Sequence, residues 1–143
     1  MTQIFVNIAT TDLDRSKAFY TALGCDIHPL FTDENAACVV WGDAIYFMVL
    51  TREFLSTFTS KPIADPREAV QTIIALTRDS RADVDAALDA GVAAGGVEPK
   101  PATDLGFMYT RDLEGPDGNI LQFFHMEPAA AEQGPQAYEA NRA

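Results

Sequence analysis

The sequence has few cysteines and no long apolar run. Cys25 and Cys38 are the two cysteines among 143 residues, too few for a disulfide framework, so we expect buried free thiols in a reducing cytoplasm, with a Cys25–Cys38 bridge as the alternative. No stretch approaches the roughly 20 apolar residues of a transmembrane helix. The first residues lack the basic region of a signal peptide. We therefore predict a cytoplasmic protein with no membrane partner.

Basic residues are also scarce. Ten Lys and Arg against 21 Asp and Glu give a formal net charge of −11, which repels phosphate backbones, so we expect no nucleic-acid partner. The chain also lacks a Gly-rich phosphate loop and a Gly-x-Ser-x-Gly motif, which argues against nucleotide-dependent and serine-hydrolase chemistry. Hydrophobic residues make up 48% of the chain, an ordinary fraction for a globular domain.

Two segments of the chain share one pattern. Residues 4–24 read IFVNIATTDLDRSKAFYTALG, and residues 71–91 read QTIIALTRDSRADVDAALDAG. Each segment is a short apolar run, then Asp, then a helical pattern that ends at Gly. The sequence therefore predicts two strand–helix units of equal length.

The two predicted helices have matching end signals. Thr11 and Ser80 each stand three residues before an Asp, an arrangement similar to a capping box. Gly24 and Gly91 suit the left-handed conformation that ends a helix. We expect each helix to span about a dozen residues between these signals.

Three strand patterns follow each predicted helix. CDIHPLF, AACVVW and AIYFMVL follow the first helix, and a weak strand near Val97, FMYTRD and NILQFF follow the second. The order β-α-β-β-β thus occurs twice within one domain of residues 1–143. Its parts are modules at about 2–50 and 70–126, a linker over 51–69 with a short helix near 54–58, and a mobile tail or short surface helix over 127–143.

Such a duplicated unit leaves one face of each sheet without its helix. We predict an α+β fold in which curved mixed sheets of the two modules surround a central cup, with the helices outside. A cup of this kind is a natural site for a small ligand. A single ferredoxin-like sheet is the competing fold, but it needs only two strands between its helices where we count three.

Several motifs resemble the vicinal oxygen chelate superfamily, which includes glyoxalase I, bleomycin-resistance proteins and extradiol dioxygenases. The resemblance lies in DLDRSKAFYTALG and EGPDGNILQFF. The small bacterial glyoxalase-like branch is similar in IFVNIATTDLDRS, LTREF, KPIADP and DLGFMYTRDLEGPDGN. The resemblance covers residues 2–128 and implies paired βαβββ modules, a divalent metal in the cup and often a homodimer.

Members of the superfamily that bind a metal use His, Glu or Gln on four strands. The resemblance carries these ligands onto Phe5, Phe47 or Met48, Thr72 or Ile73, and Gln122. Gln122 has a suitable oxygen, but one amide cannot hold a divalent ion. We therefore expect a cup without a metal ligand set and without another cofactor.

Strand alternation adds candidates for ligand binding. Asn7 shares a face with Phe5, and Tyr109 shares a face with Arg111, whose guanidinium would attract a carboxylate or phosphate inside the cup. The alternative for Asn7 and Gln122 is hydrogen bonding within the core. The alternative for Arg111 is an ion pair in solvent with Asp112 or Glu114, and we expect both of these carboxylates to be solvated. Neither His28 nor His125 is expected to be a ligand. The predicted ligand-binding residues are Phe5, Asn7, Phe47, Ile73, Tyr109, Arg111 and Gln122.

Three functions are consistent with these features. We predict a homodimeric small-molecule binding protein of the bleomycin-resistance type with a metal-free cup, and the charge of −11 suits a cationic ligand. The first alternative is a divalent-metal-dependent lyase, isomerase or dioxygenase of the glyoxalase I type. A metal-free enzyme that uses Tyr109, or Asp and Glu residues, as acid and base is a variant of it. The second alternative is a dimeric interaction protein without a small ligand. The sequence leaves open whether the protein catalyses a reaction and which ligand it binds.

Overall fold

A computed structural model describes residues 1–141 as two modules of similar element order. The first module contains β1 (Ile4–Thr10), α1 (Leu13–Ala22), β2 (Asp26–Ile27), β3 (Ala36–Val40) and β4 (Ile45–Thr51). After α2 (Arg52–Leu55), the second module contains β5 (Ile73–Thr77), α3 (Arg81–Ala93), β6 (Thr103–Asp104), β7 (Met108–Glu114) and β8 (Ile120–Met126). The C-terminal segment holds α4 (Pro128–Gln133) and α5 (Pro135–Asn141). The last two residues of the predicted tail lie outside the described residues.

The two modules form two four-stranded sheets of the same topology. Their strand orders are β1-β4-β3-β2 and β5-β8-β7-β6. In each sheet the first strand of the module pairs in parallel with the last strand, and the other pairs are antiparallel. The predicted α+β fold with two βαβββ modules and flanking helices is confirmed.

Two predicted strands are shorter than their sequence patterns. The residues after Ile27 turn into a 3-10 helix at Pro29–Phe31, because proline fixes its own φ and lacks the N–H that a sheet ladder needs. Near Val97 the chain makes a single bridge to Glu114. The short edge strand of the second sheet lies further along, at Thr103–Asp104.

Both helices begin close to the predicted capping residues. Ser80 caps α3, because its hydroxyl accepts a hydrogen bond from the backbone N–H of Asp83 at 3.0 Å. In α1 the cap is Asp12 rather than Thr11, and its carboxylate accepts from the backbone N–H of Arg15 at 3.0 Å. Both caps satisfy an N–H group that the first helical turn leaves free.

The C-terminal ends of the helices follow the prediction in one case. Gly24 follows α1 with a φ of 96°, as predicted. The prediction that Gly91 ends α3 is wrong, because the helix continues to Ala93 and Gly95 adopts the left-handed conformation. Gly91 lies against Leu113 of β7, whose side chain would overlap a Cβ at this position. Its lack of a side chain thus allows α3 to approach the sheet.

One hydrophobic core joins the two modules. Tyr20 of α1 packs edge-to-face on Trp41 and Phe47, and the ring centroid of Trp41 lies 6.1 Å from that of Phe123 in the other module. The same core includes fully buried residues of α3 and β7, among them Leu88 and Leu113. The helix-facing sides of both sheets therefore contribute to this core.

The turn between β7 and β8 holds the first module to the second. Asp117 of this turn accepts hydrogen bonds from the backbone N–H of Thr11 at 3.1 Å, from Arg15 Nη2 at 2.7 Å and from the hydroxyl of Ser16 at 3.2 Å. All three donors lie at the start of α1. A single carboxylate of the second module thus satisfies polar groups of the first.

Gly118 lets the linker pass close to the same turn. Its φ is 99°, and a Cβ there would lie 2.7 Å from the backbone nitrogen of Arg67 and 2.9 Å from the backbone carbon of Pro66. We expect Gly118→Ala to lower the free energy of unfolding by about 2 kcal/mol, since strain and a backbone clash combine. Urea unfolding measures this loss. Gly42→Ala is the control, because no atom lies within 4 Å of a Cβ there; equal losses for the two variants would contradict the account.

Both cysteines are free and buried, as expected, and burial raises the pKa of the Cys25 thiol to about 12. Among residues 1–141, no helix combines the length and the apolar character needed to cross a membrane.

Candidate functional site

Strand register defines one face of each sheet that points away from α1 and α3, here called the bare face. In the first sheet Asn7 is paired with Met48, and Met48 with Cys38. In the second sheet Ala75 is paired with Gln122, and Gln122 with Asp112. Paired residues of neighbouring strands point to the same side. These rows therefore mark the centres of the two bare faces.

Four of the predicted ligand-binding residues lie on the bare faces. Phe5 and Asn7 alternate with core-facing Val6 and Ile8 on β1. Ile73 and Gln122 occupy the equivalent face of the second sheet.

Phe47 requires a correction, because it lies on the opposite face of β4. Its side chain has no exposed surface, and its ring centroid lies 5.7 Å from that of Tyr20 and 5.4 Å from that of Trp41. Of the two alternatives on this strand, Met48 faces the same side as Asn7. Since side chains alternate along a strand, the choice between neighbouring residues decides whether the position is core or bare face.

Arg111 and Tyr109 also point to the core side of the second sheet. Arg111 is paired with Phe123, one residue away from the pair between Asp112 and Gln122. The guanidinium of Arg111 donates two hydrogen bonds of 2.8 Å to the Glu98 carboxylate and a third of 2.8 Å to Asp85 of α3. The predicted place in the cup is therefore wrong, and so is the predicted pairing with Asp112 or Glu114.

The cluster around Arg111 is a set of mutually satisfied groups. The hydroxyl of Tyr109 donates to Asp85 at 2.6 Å. Hydrogen bonds from Tyr109 and then from Arg111 lower the pKa of Asp85, and the bond from Arg111 lowers the pKa of Glu98. The bond to Asp85 raises the pKa of Tyr109. Each charge has a partner, so this cluster ties β7 to α3 and has no free group for an anion.

A polar pair occupies the bare face of the second sheet. Asp112, read from the sequence as solvated, is only 5% exposed, and its carboxylate accepts a hydrogen bond from Nε2 of Gln122 at 3.2 Å. The ammonium group of Lys100 lies 4.0 Å from the same carboxylate. Asp112 is not among the site residues predicted from the sequence. Its position next to Leu113 on an apolar strand was the available signal, because alternation places the two side chains on opposite faces of the sheet.

An aromatic pair occupies the bare face of the first sheet. The rings of Phe5 and Tyr46 are stacked, with centroids 4.5 Å apart and planes at 7°. Phe5 is 49% exposed. With Phe5 exposed and Tyr46 half-buried, this stacked pair offers an apolar surface on which a flat group can pack.

The bare faces do not provide the ligands of a divalent metal. Across the described part of the chain, no three or more His, Cys, Asp and Glu side chains form a group that could hold an ion. The central positions are Asn7, Met48, Ala75 and Gln122, and the amide of Gln122 is already bonded to Asp112. Hard and borderline divalent ions prefer several carboxylates, imidazoles or thiolates, so these residues do not fit the superfamily's metal.

Each of the two histidines is held by a contact with the backbone. His125 is paired with Tyr109, on the core side of the second sheet, and its Nδ1 lies 3.0 Å from the carbonyl oxygen of Arg78. Nδ1 of His28 accepts a hydrogen bond from the backbone N–H of Leu30 at 3.3 Å. Both side chains therefore have local structural contacts.

A half-open cleft, here called the linker cleft, lies between β1, the linker and the start of β8. Its volume is about 360 Å³. Asn7 is a predicted ligand-binding residue that lines it. The lining residues are Val6, Asn7, Ile8, Ala9, Leu55, Pro62, Ile63, Ala64, Pro66, Ala69, Val70, Gln71, Thr72, Ile74, Gly118, Asn119 and Ile120.

The N-terminal part of the chain matches a known protein family. Residues 2–42 match the family described as bleomycin resistance protein-like N-terminal. No curated protein sequence matches the chain.

Solved structures resemble nearly the whole chain. A hypothetical protein, SA1046 from S. aureus, aligns with a TM-score of 0.74 at 20% identity, over 87% of this chain and 94% of that one. A glyoxalase/bleomycin resistance protein/dioxygenase family enzyme from Burkholderia phytofirmans PsJN gives 0.72 at 18% identity, over 88% and 99%. A bleomycin resistance determinant encoded on the transposon Tn5 gives 0.62 at 21% identity, over 89% and 99%. At these identities the likeness concerns the fold.

Proposed function

Because the fold of this chain resembles that of glyoxalase/bleomycin resistance/dioxygenase proteins, we propose that it belongs to the vicinal oxygen chelate superfamily and binds a small organic molecule on its bare faces without a metal. The observation that carries this proposal is the residue set at the centre of those faces. Where a metal-binding relative would need several strong ligands, this chain has Asn7, Met48, Ala75 and Gln122. These side chains suit packing and hydrogen bonding rather than Lewis-acid chemistry.

The ligand in this proposal is cationic and partly aromatic. The net charge of −11 attracts cations and repels anions. Asp112 places a carboxylate on one bare face, where a cationic ligand would displace the ammonium group of Lys100 from its position 4.0 Å away. The stacked rings of Phe5 and Tyr46 offer an aromatic surface on the other bare face. Aromatic faces and a carboxylate together favour a cation that carries a flat group.

A second copy of the chain completes the site in this proposal. The aromatic pair and the Gln122–Asp112 pair belong to different sheets, so bringing the bare faces of two copies together would place both pairs around one ligand. Phe5 and Ile73 are each more than a third exposed along these faces, and dimerisation would cover apolar surface of this kind. We place this homodimer in the cytoplasm, where its two free thiols stay reduced.

Matched naphthalene probes test the proposal. We expect 2-naphthylmethylamine to bind in isothermal titration calorimetry and 2-naphthoate not to bind. Asp112→Asn and Phe5→Ala should each weaken the cation's affinity roughly tenfold, because a charge-assisted or stacking contact of ~1.4 kcal/mol is lost. Asp14→Asn is the control, since that carboxylate is 95% exposed. Equal affinity for the anion, or full affinity in both variants, would refute the cationic site.

Metal content and turnover test the metal-free part separately. Protein purified without chelator should contain no stoichiometric Zn, Ni, Mn or Fe in elemental analysis. Incubation with methylglyoxal and glutathione should leave the hemithioacetal unchanged. A stoichiometric metal, or turnover of the hemithioacetal, would replace this proposal with an enzyme of the glyoxalase I type.

A further inference from the structure

We propose that the linker cleft is a second ligand-binding site, specific for an uncharged and largely apolar small molecule with hydrogen-bonding groups. It adjoins the bare-face site proposed above and shares Asn7 with it. Its volume of about 360 Å³ lies within the usual range for small-molecule sites.

The lining of the cleft carries no charged side chain. Its seventeen residues are apolar or uncharged, although the chain has 10 Lys and Arg and 21 Asp and Glu. A charged ligand would lose its hydration there without gaining a partner, which is costly. An uncharged ligand avoids this cost and gains from contact with the apolar walls.

Three amide side chains of the lining are unengaged. Among residues 1–141 the side chains of Asn7, Gln71 and Asn119 form no hydrogen bond with protein atoms. Each amide offers both donors and an acceptor. Together they can recognise the carbonyl, hydroxyl or amide groups of a neutral ligand and fix its orientation.

The linker wall is held in place from outside the cleft. Arg52 of α2 donates to the carbonyl oxygens of Ile63 at 2.7 Å and Ala64 at 3.1 Å. Arg67 donates to the carbonyl oxygen of Pro116 at 3.2 Å. Neither arginine belongs to the lining, so their charges fix the wall without entering the site. A wall fixed before binding reduces the entropy that a ligand must overcome.

A neutral probe and a pair of linker variants test the site. We expect 2-naphthylmethanol to bind with a Kd below about 1 mM and to shift amide signals of residues 62–72 in ¹H–¹⁵N spectra. Ala69→Trp fills the cleft and should weaken this binding at least tenfold. Glu68→Trp puts the same ring on the neighbouring exposed residue outside the lining and should leave it unchanged. Gln71→Leu removes one amide and should weaken binding severalfold without filling the cleft.

Several outcomes would overturn the inference, independently of the bare-face proposal. The first is no binding of 2-naphthylmethanol at a concentration about five times the upper limit of about 1 mM expected for its Kd. The others are unchanged binding in Ala69→Trp and binding that Asp112→Asn abolishes. A change in oligomeric mass caused by Ala69→Trp in light scattering would also overturn it, since the cleft would then be an interface between copies. If the protein binds 2-naphthylmethanol but does not bind 2-naphthylmethylamine, only the bare-face proposal is refuted.

Discussion

Phe47→Ala is expected to lower the free energy of unfolding by about 4 kcal/mol, because truncating a buried phenylalanine removes apolar contacts and leaves a cavity. Phe47 has no exposed surface, and its strand β4 lies between β1 and β3. The cavity would be enclosed by Tyr20 and Trp41, which pack on the ring. Urea unfolding followed by tryptophan fluorescence measures the change.

Phe5→Ala is the control that separates the two faces of the first sheet. Phe5 is 49% exposed, so its truncation should cost no more than about 1 kcal/mol. The two variants should rank in the opposite order in their effect on ligand binding. Folded Phe47→Ala should keep its affinity for 2-naphthylmethylamine, and Phe5→Ala should lose it. A small stability loss for Phe47→Ala, or a specific loss of its affinity, would return Phe47 to the ligand site.

Asp117→Ala is expected to cost about 3 kcal/mol and roughly 10 °C in Tm, because a mostly buried carboxylate leaves several donors without a partner. The Asp117 side chain is 11% exposed and forms an ion pair of 2.7 Å with Arg15. It also accepts from Thr11 and Ser16. Because the hydrogen bonds that are lost join the two modules, the variant should unfold in a broader transition.

Asp14→Ala is the control for Asp117. Its carboxylate is 95% exposed and lies 3.4 Å from Lys17 three residues along α1. Exposed pairs of this kind contribute less than about 1 kcal/mol. Differential scanning calorimetry of the two variants makes the comparison, and similar Tm values would show that Asp117 does not hold the modules together.

The two proposed sites favour ligands of different charge, a cation on the bare faces and an uncharged molecule in the linker cleft. The bare faces combine an acidic residue with stacked aromatic rings, whereas the linker cleft combines apolar walls with unengaged amides. Asn7 lies at the boundary, since it is on the bare face of β1 and also lines the cleft. An Asn7→Ala variant would therefore affect both ligands, which is why the tests use Asp112 and Ala69.

Arg111 illustrates how a charged residue on a strand can be misread. The alternation along β7 correctly separates Tyr109 and Arg111 from Thr110 and Asp112. It does not say which set faces α3. The partners of Arg111 come from the helix and from Glu98, and these contacts are remote enough in sequence that no local pattern indicates them.

The sequence by itself determined the order of elements and the existence of two equivalent modules. Those features follow from local periodicity, from capping residues such as Ser80 and from turn residues such as Gly24, each of which acts within a few neighbouring residues. The residue types at Phe5 and Ile73, two positions to which the resemblance carries metal ligands, could also be read directly, because they depend on identity alone.

Only the tertiary structure decided which side of each strand became core. A period of two specifies two faces but not the one that a helix will cover, and one step along the strand exchanges them. Packing made Phe47 and Arg111 core-facing, moved the end of α3 beyond Gly91, and set the linker beside β1 to form a cleft. These outcomes depend on contacts between residues far apart in the chain, where surface burial and close approach, rather than local propensity, set the free energy.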